Sequence, residues 1–258
     1  MENEYFERIA EVCRHLKLNC TAQELASLSL QNNFTSEQMK AIEIVVNHMA
    51  EKKHQALVDI RLRTSRLPLK SPKTFSNFDF TRLSGQHVEE LKELQTLSPL
   101  YSRTNIALIG PPGTGKTHLA QAFGYECCQR GITTYFLKLS EFRDKLEYAL
   151  SKGTEANLMR ALVNMDCLVL DEIGHCQLNT EETRRFFELI DKRYTKENPS
   201  TTIFTSNKMP KTWIEDFTDH ESMDCAMDRI FDTALVILMK GKSYRGQRVK
   251  TISVEAVK

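Results

Sequence analysis

GPPGTGKT, residues 110–117, is the stretch of sequence that decides the fold. It matches the pattern G-x-x-x-x-G-K-[ST] of a phosphate-binding loop. The apolar run 105–109 before it predicts a buried parallel strand, and the apolar spacing from Leu119 to Cys127 after it predicts a helix. A phosphate-binding loop requires this strand–loop–helix context. The alternative interpretation is a plain Gly/Pro turn between a strand and a helix.

The residue types of this loop suit a bound polyphosphate. Glycines let backbone N–H groups approach phosphate oxygens, and the following helix points its positive end at the same anion. We expect Lys116 to reach the β- and γ-phosphates of ATP and the Thr117 hydroxyl to bind Mg²⁺. The residues predicted to contact the nucleotide are Gly110, Pro111, Pro112, Gly113, Thr114, Gly115, Lys116, Thr117, His118 and Asp171.

The composition is that of a soluble protein with one large domain, or one large and one small. Of the 258 residues 41% are hydrophobic and 27% charged, and 35 Lys and Arg nearly balance 34 Asp and Glu. No apolar run approaches the roughly 20 residues that span a bilayer, and the acidic start MENEYFERIA is not a signal peptide. We therefore expect a cytoplasmic protein without a membrane partner.

Seven cysteines in that compartment are expected to be reduced. Cys13, His15 and Cys20 lack the spacing of a zinc site, so no metal cluster is assigned to them. Cys127 and Cys167 lie inside apolar runs, which predicts that their thiols are buried.

The first sixty residues predict an all-α interaction domain without catalytic residues. Apolar positions recur at helical spacing over residues 5–18. Thr21 and Glu24 have the spacing of a capping box that opens a second helix. Ser36 is expected to cap a third helix that runs to about Asp59. We assign residues 1–60 to this domain.

Residues 61–73 contain positive charges and no negative one, and their two prolines stop a helix. We interpret them as a basic linker between two domains. One reading is a solvated hinge, and the other is contact with DNA phosphates, which releases counterions. The basic residues concerned are Arg61, Arg63, Arg66, Lys70 and Lys73.

Residues 74–258 predict an α/β domain, because strands and helices alternate after the first strand. The further strands are predicted at 132–137, 167–172, 201–207 and 234–239, and helices at about 86–97, 140–150, 155–164, 180–194, 213–217 and 223–231. The result is a five-stranded parallel sheet with helices on both faces. The aromatic segment Phe75–Phe80 either packs against a nucleotide base or closes the edge of the core.

Polar residues end three of the predicted strands, at the edge where open α/β sheets bind ligands. Asp171 follows four apolar residues, and a carboxylate there suits Mg²⁺, although a helix N-cap is the alternative. Glu172 is placed to orient and deprotonate a water, unless it is a surface carboxylate. Asn207 is expected to hydrogen-bond that water or the γ-phosphate, or else is a loop amide.

This arrangement resembles the AAA+ class of P-loop ATPases, and more closely the IstB/DnaC-like group. The motifs that carry the resemblance are FSNFDF (75–80), GPPGTGKTHLA (110–120), VLDEIG (169–174), TSN (205–207), DRI (228–230) and KGKSYR (240–245). Within the group, the order of a helical module, an AAA+ core and this tail is most similar to the IstB helpers of insertion-sequence transposition. About twenty residues follow the fifth strand. These are too few for the C-terminal helical lid of standard AAA+ proteins, and the absence of a lid also fits the group.

The resemblance implies that Arg229 is an arginine finger that reaches the nucleotide of a neighbouring subunit. The alternative is an internal salt bridge. Arg245 either senses nucleotide or binds DNA, and together with Arg248 it belongs to a second basic segment. No base-reading motif is present, so DNA binding without strong sequence preference is expected.

The leading hypothesis is an ATP-dependent, Mg-dependent ATPase that assists a transposase. It would form a homo-oligomer with ATP at subunit interfaces, assemble on duplex DNA and regulate or target the transposase. A replicative helicase loader of the DnaC type is the second hypothesis, because the core alone does not exclude it. An ATP-binding scaffold without turnover is the third, and the Asp171–Glu172 pair argues against it.

Overall fold

The computed structural model of the protein describes residues 2–83, 88–241 and 243. The chain forms two units, Met1–Ile60 and Arg61–Lys258. The first unit consists of helices, whereas the second is built on a parallel β-sheet.

Helices α1, α2 and α3 span Glu2–His15, Ala22–Asn32 and Ser36–Thr64. In the first unit Ile9, Cys13 and Met39 form a small core, and each is 6% exposed or less. The predicted capping box of α2 is confirmed. The Thr21 hydroxyl accepts from the Glu24 amide, and the Glu24 carboxylate accepts from the Thr21 amide at 2.8 Å.

Two of these helices end at other residues than the sequence predicts. Helix α1 ends at His15 rather than near residue 18, because Lys17 adopts a left-handed φ of 61°. Helix α3 continues past the expected end near Asp59 to Thr64. Its last residues include arginine and leucine, which propagate a helix well even where the apolar periodicity has ended.

The segment predicted as a basic linker, residues 61–73, is only partly a linker. Ser65 and Leu67 are buried, and Leu67 belongs to a core cluster of the second unit. Nε of Arg61 donates to the carbonyl of Gly131 at 2.9 Å. The first half of the segment is therefore packed into the fold of the second unit and is not a solvated hinge.

The sheet of the second unit confirms the predicted fold class. Its strands β1 to β5 are Asn105–Ile109, Thr134–Lys138, Cys167–Ile173, Thr201–Ser206 and Ala234–Leu238. The strand order is β2-β3-β4-β1-β5, and every neighbouring pair is parallel. Because β3, β4 and β1 are neighbours, the loops that follow their carboxyl ends lie side by side.

Helices cover both faces of this sheet. Helices α4 to α10 are Val88–Glu93, Ser98–Tyr101, Lys116–Gln129, Leu139–Lys152, Glu155–Asn164, Thr180–Thr195 and His220–Asp232. Short 3-10 turns span Phe80–Arg82, Leu94–Thr96 and Pro210–Asp216. Alternate residues of β1 enter two separate cores. Ala107 and Ile109 pack with α7, α9 and α10, whereas Ile106 and Leu108 pack with α6.

All seven cysteines have free thiols, and the predicted burial of Cys127 and Cys167 is confirmed by an exposure of 0% for each. In the parts of the chain that the structure describes, no helix has the length and apolar character needed to cross a bilayer. The expectation about a C-terminal lid concerns mainly residues 244–258, which lie outside the described residues.

Candidate active site

A groove of about 530 Å³ opens at the carboxyl edge of the sheet. It brings together three separate stretches of the sequence that the motifs single out. The loop and helix after β1 contribute Pro112, Gly113, Gly115, Lys116, Thr117, His118 and Gln121. The ends of β3 and β4 and the turns after them contribute Glu172, His175, Thr205, Ser206 and Asn207. The aromatic segment contributes Asn77, Phe78 and Asp79, and Lys73 lies just before it. The predicted convergence of polar strand ends at one edge is therefore what the fold produces.

Gly110 and Gly115 are among the glycines of the phosphate-binding loop whose backbone leaves no room for a Cβ. Gly110 has φ 154°, and a Cβ there would lie 2.0 Å from the carbonyl oxygen of Met239. Gly115 has φ 98° at the N-cap of α6, where a Cβ would lie 2.8 Å from the Phe78 ring. The loop thus turns tightly into α6, whose N-terminus faces the groove and favours an anion.

Lys116, the first residue of α6, is only 7% exposed. Its Nζ donates to the carbonyl oxygens of Gly110 and Pro111, both at 2.7 Å. The ammonium group is therefore held directly over the loop by neutral acceptors. A polyphosphate in the groove offers anionic acceptors at the same place, and Coulomb attraction favours them over the neutral carbonyl oxygens.

Asp171 and Thr117, the two predicted magnesium ligands, are in contact. The Thr117 hydroxyl donates to Oδ1 of Asp171 at 2.8 Å. The Thr205 hydroxyl donates to the same oxygen at 2.5 Å. Asp171 is 1% exposed, and burial raises the pKa of its carboxyl while the two hydroxyl donors oppose that rise. A hydroxyl and a buried carboxylate side by side are hard oxygen donors, so the residues present fit Mg²⁺.

A bulge in β3 explains how two consecutive acidic residues both reach this edge. Successive side chains of a regular strand point to opposite faces. The register between β3 and β4 shifts between Leu170 and Ile173, and Glu172 has a left-handed φ of 61°. The Glu172 amide donates to the Thr205 hydroxyl at 3.1 Å. Thr205 therefore holds both acidic residues, one through its carboxylate and the other through its backbone.

The Glu172 carboxylate forms an ion pair with Lys138, with 2.9 Å between Nζ and Oε2. Lys138 is the last residue of β2, the strand next to β3. The hydrogen bond to Glu172 raises the pKa of Lys138, and burial opposes it slightly. The Glu172 side chain is 39% exposed, so water can reach the carboxylate that the sequence predicts as a base.

Asn207 lies at the groove, as the sequence predicts, and contacts a histidine that sequence reasoning missed. Its Nδ2 is 2.9 Å from Nε2 of His175. The His175 amide in turn donates to the Glu172 carbonyl at 3.2 Å. The sequence signal for His175 was its position three residues after Glu172, but nothing in the sequence showed which strand end it would face.

The aromatic segment closes the core and also borders the groove. Phe75 and Phe78 are each 7% exposed and belong to one core cluster. Phe78 also lines the groove and contacts the ring of His118 edge-on, at 5.1 Å between centroids. Nε2 of His118 is 3.0 Å from the Thr74 carbonyl, and burial lowers the pKa of this histidine. The interpretation as closure of the core is confirmed for Phe78, and packing against a nucleotide base stays a prediction.

Arg229 does not line this groove. It lies on α10, where its Nε donates to Oδ1 of Asp191 at 2.6 Å and Nη1 donates to the Cys225 carbonyl at 3.0 Å. Its guanidinium is 5.0 Å from the centroid of the Phe187 ring. Arg229 borders a second cavity, which also includes Asn105, the first residue of β1. It is thus at the amino edge of the sheet, about 15 Å from the loop that follows β1.

The predicted DNA-contacting residues have different surroundings. Arg63 and Lys70 are exposed, and Arg66 is paired at 3.5 Å with Glu141. Lys73 lines the groove at the carboxyl edge. Arg61 is bound to Gly131 as described above. Arg245 and Arg248 lie outside the described residues.

The parallel sheet, its strand order and the glycine loop at its carboxyl edge define a P-loop NTPase fold of the AAA+ class. The sequence comparison is more specific. The chain belongs to the family of IstB-like ATP binding proteins, which matches residues 11–251.

Curated relatives come from insertion sequences. The chain is 31% identical over 243 residues to a protein named as an ATP-binding protein of insertion sequence IS5376 from Geobacillus stearothermophilus, with 93% of this chain and 94% of that protein covered. It is 38% identical over 197 residues to the corresponding protein of IS21 from Pseudomonas aeruginosa, with 75% and 71% covered.

Solved structures show the same fold at lower identity. AMPPCP-bound DnaA from Aquifex aeolicus has a TM-score of 0.55 at 24% identity, covering 68% of this chain and 52% of that one. DnaI has a TM-score of 0.55 at 19% identity, covering 70% and 96%. At these identities the likeness concerns the fold and not the activity.

Proposed function

We propose that the protein is an AAA+ ATPase that helps a transposase: it binds Mg·ATP in the groove, assembles on duplex DNA and regulates or targets the transposase. The observation that carries the ATPase is the contact of Thr117 with Asp171 at the mouth of the glycine loop, which unites the two halves of a nucleotide site. Membership of the IstB-like family and relatives from insertion sequences support the role in transposition.

The groove supplies each group that hydrolysis of ATP needs from this chain. The loop amides and Lys116 bind the β- and γ-phosphates. Thr117 and Asp171 are the side chains that would hold Mg²⁺, which would supply neutralisation of charge on the phosphate oxygens. Glu172 orients a water and accepts its proton, while Asn207 donates to the γ-phosphate or the water.

Arg229 acts on the nucleotide of a second subunit. Within one chain it lies at the edge of the sheet opposite the groove, so it has no access to its own nucleotide. A head-to-tail neighbour would bring Arg229 to the γ-phosphate, where its charge stabilises the transition state. The pairing with Asp191 and the stacking on Phe187 hold the guanidinium in one orientation.

Contact with DNA involves the exposed basic residues near the start of the second unit. Arg63 and Lys70 are exposed, and neutralising phosphates with such residues gives binding that weakens with salt and depends little on sequence. The experiment measures binding of a fluorescent duplex with ATP and with ADP, for the wild type, Arg63→Glu, Lys70→Glu and the exposed control Lys152→Glu on α7.

The expected result is ATP-dependent assembly on the duplex, which both charge reversals weaken at least about tenfold while the control does not. Retention of the protein on an immobilised transposase in the presence of ATP and DNA tests the partner. Retention on a replicative helicase and not on the transposase would replace the transposition role by that of a helicase loader.

A further inference from the structure

The second cavity, about 370 Å³, lies at the amino edge of the sheet, on the side opposite the groove. It is bordered by the first residue of β1, Asn105, and by Thr233, which precedes β5. Its lining carries three arginines, Arg103, Arg193 and Arg229, and one carboxylate, that of Asp232, while Asp191 pairs with Arg229 from outside the lining. A cavity with this excess of guanidinium groups fits an anion.

Arg193 places a positive charge beneath the floor of this cavity. It is 3% exposed, and its guanidinium donates to neutral acceptors: the Thr202 hydroxyl and the carbonyls of Leu162, Val163, Met165 and Thr201. No carboxylate within the described residues accepts a hydrogen bond from it. The Asp166 carboxylate acts on this guanidinium through space and without a hydrogen bond, so the buried charge still favours an anion at the nearest accessible surface.

Arg103 and Arg229 lie at the accessible part of the same cavity. Arg103 is exposed in the turn before β1, and its Nη2 donates to the Tyr194 carbonyl at 3.0 Å. The Tyr194 hydroxyl donates to Asp232 at 2.9 Å, which fixes the wall between the two arginines. Both guanidinium groups are therefore positioned by neighbouring elements and face one space.

We propose that Arg103 is a second arginine that acts, beside Arg229, on the terminal phosphates of the nucleotide bound to a second copy of the chain. The inference rests on the proposed ATPase. The positions of the two sites select this occupant. The groove proposed to hold the polyphosphate lies at the carboxyl edge, whereas Arg103 and Arg229 line a cavity at the amino edge, so head-to-tail stacking brings guanidinium groups to the phosphates.

The experiment measures ATP hydrolysis on duplex DNA by Arg103→Gln, Arg103→Lys and the control Arg160→Gln, an exposed arginine of α8 outside the cavity. Binding of a fluorescent ATP analogue and the melting temperature are measured for each variant. We expect Arg103→Gln to bind the analogue as the control does and to hydrolyse ATP at least about tenfold more slowly, with Arg103→Lys intermediate because it keeps the charge but loses the planar fork.

Mixed assemblies decide whether Arg103 acts across an interface. Arg103→Gln is mixed in equal amounts with a groove-defective variant, Glu172→Gln or Lys116→Ala. Half of the grooves are then intact and half of their neighbours supply both arginines, so about a quarter of the wild-type hydrolysis returns. A mixture of Arg103→Gln with Arg229→Gln is expected to remain inactive, because both changes damage the same side of every interface.

The outcomes separate this inference from the proposed function. Hydrolysis by Arg103→Gln at the rate of the control overturns the inference, and so does a loss that no groove-defective partner restores. If Arg229→Gln is restored in the mixture and Arg103→Gln is not, the ATPase stands and the inference alone fails. If Arg103→Gln binds DNA more weakly and hydrolyses ATP at an unchanged rate, the cavity binds DNA phosphate and the inference is overturned. Absence of hydrolysis by the wild type overturns both.

Discussion

The two edges of the same sheet carry different chemistry. At the carboxyl edge, the glycine loop lines an open groove together with acidic, basic and hydroxyl side chains, and Thr205 fixes both Asp171 and Glu172. At the amino edge, arginines surround a smaller cavity, and backbone carbonyls fix the deepest of them, Arg193. At each edge one buried side chain, Thr205 or Arg193, makes several of the hydrogen bonds beneath the site.

The difference teaches where sequence motifs are informative. The carboxyl edge is built from contiguous motifs, because a loop that binds phosphate needs several special residues in a row. The amino edge is built from single residues on separate elements: Arg229 belongs to the DRI segment 228–230, whereas Arg103 carries no local pattern. Motifs therefore indicate the groove and Arg229, and only the fold adds Arg103 to the proposed interface.

The largest effect is expected from Lys116→Ala, which tests whether the carboxyl edge is the nucleotide site. Loss of the ammonium that lies over the loop is expected to weaken ATP binding by about 2–3 kcal/mol, roughly a hundredfold, and to abolish hydrolysis. Binding of a fluorescent ATP analogue and phosphate release measure this. Lys152→Ala on α7 is the control, and equal ATP binding by both variants would contradict the assignment of this edge.

Glu172→Gln is expected to have the next largest effect. Nucleotide binding is retained, while turnover falls by about 10²–10³-fold, because the general base is lost. Lys138→Met serves as one control, since it breaks the same ion pair and leaves the carboxylate in place. The exposed Glu147→Gln on α7 is the second control. Unchanged turnover in Glu172→Gln would remove this residue from the chemistry and favour a binding scaffold.

Thr205→Val tests whether one hydroxyl organises the carboxyl edge. The isosteric change leaves Oδ1 of Asp171 with one hydroxyl donor fewer and the Glu172 amide without its acceptor. The expected cost is about 1–3 kcal/mol in the free energy of unfolding, with a lower rate of hydrolysis. Thr205→Ser keeps the hydroxyl and is expected to behave like the wild type. Chemical unfolding curves for both variants give the comparison. Equal stabilities would show that the Thr205 hydroxyl does not hold the two acidic residues in place.

The smallest effect concerns His118 at the base of the groove. Burial, aided by nearby Lys73, lowers the pKa of His118, so the unfolded chain binds a proton at a higher pH than the folded chain does. Stability therefore falls as pH drops through the usual histidine range, from about 7.5 to about 5.5. His118→Gln removes this contribution, and its melting temperature without nucleotide is expected to fall less over that range.

The exposed His220→Gln on α10 is the matched control for this pH series. It should lose as much melting temperature as the wild type between the same two pH values. An identical loss in His118→Gln would show that burial of this ring does not contribute to the acid sensitivity of the fold.

Much of the fold could be predicted from the sequence, because its signals are local. The glycine loop, the apolar strands and the α2 capping box formed by Thr21 and Glu24 each depend on residues close in sequence. The bulge at Glu172 could not be predicted, since it depends on the Thr205 hydroxyl of the neighbouring strand. The ion pair of Lys138 with Glu172 could not be predicted either, because it depends on the pairing of β2 with β3.

The helix ends and the basic segment show a second limit. The end of a helix is set by the residues that cap it and by packing against the rest of the fold. Apolar periodicity reports neither of these. The burial of Leu67 likewise depends on a core assembled from distant elements. The charge run around it gave no sign of that burial.

The placement of groove and arginine cavity on opposite sides of one sheet has a directional consequence. If each subunit completes the site of the next, a linear stack contains one fewer complete site than it has subunits. The terminal subunit with an unmatched groove would keep its ATP intact, while the nucleotides inside the stack turn over. Such a stack would keep ATP at one end and accumulate ADP inside. Subunits would therefore be added and lost with a fixed polarity along the DNA.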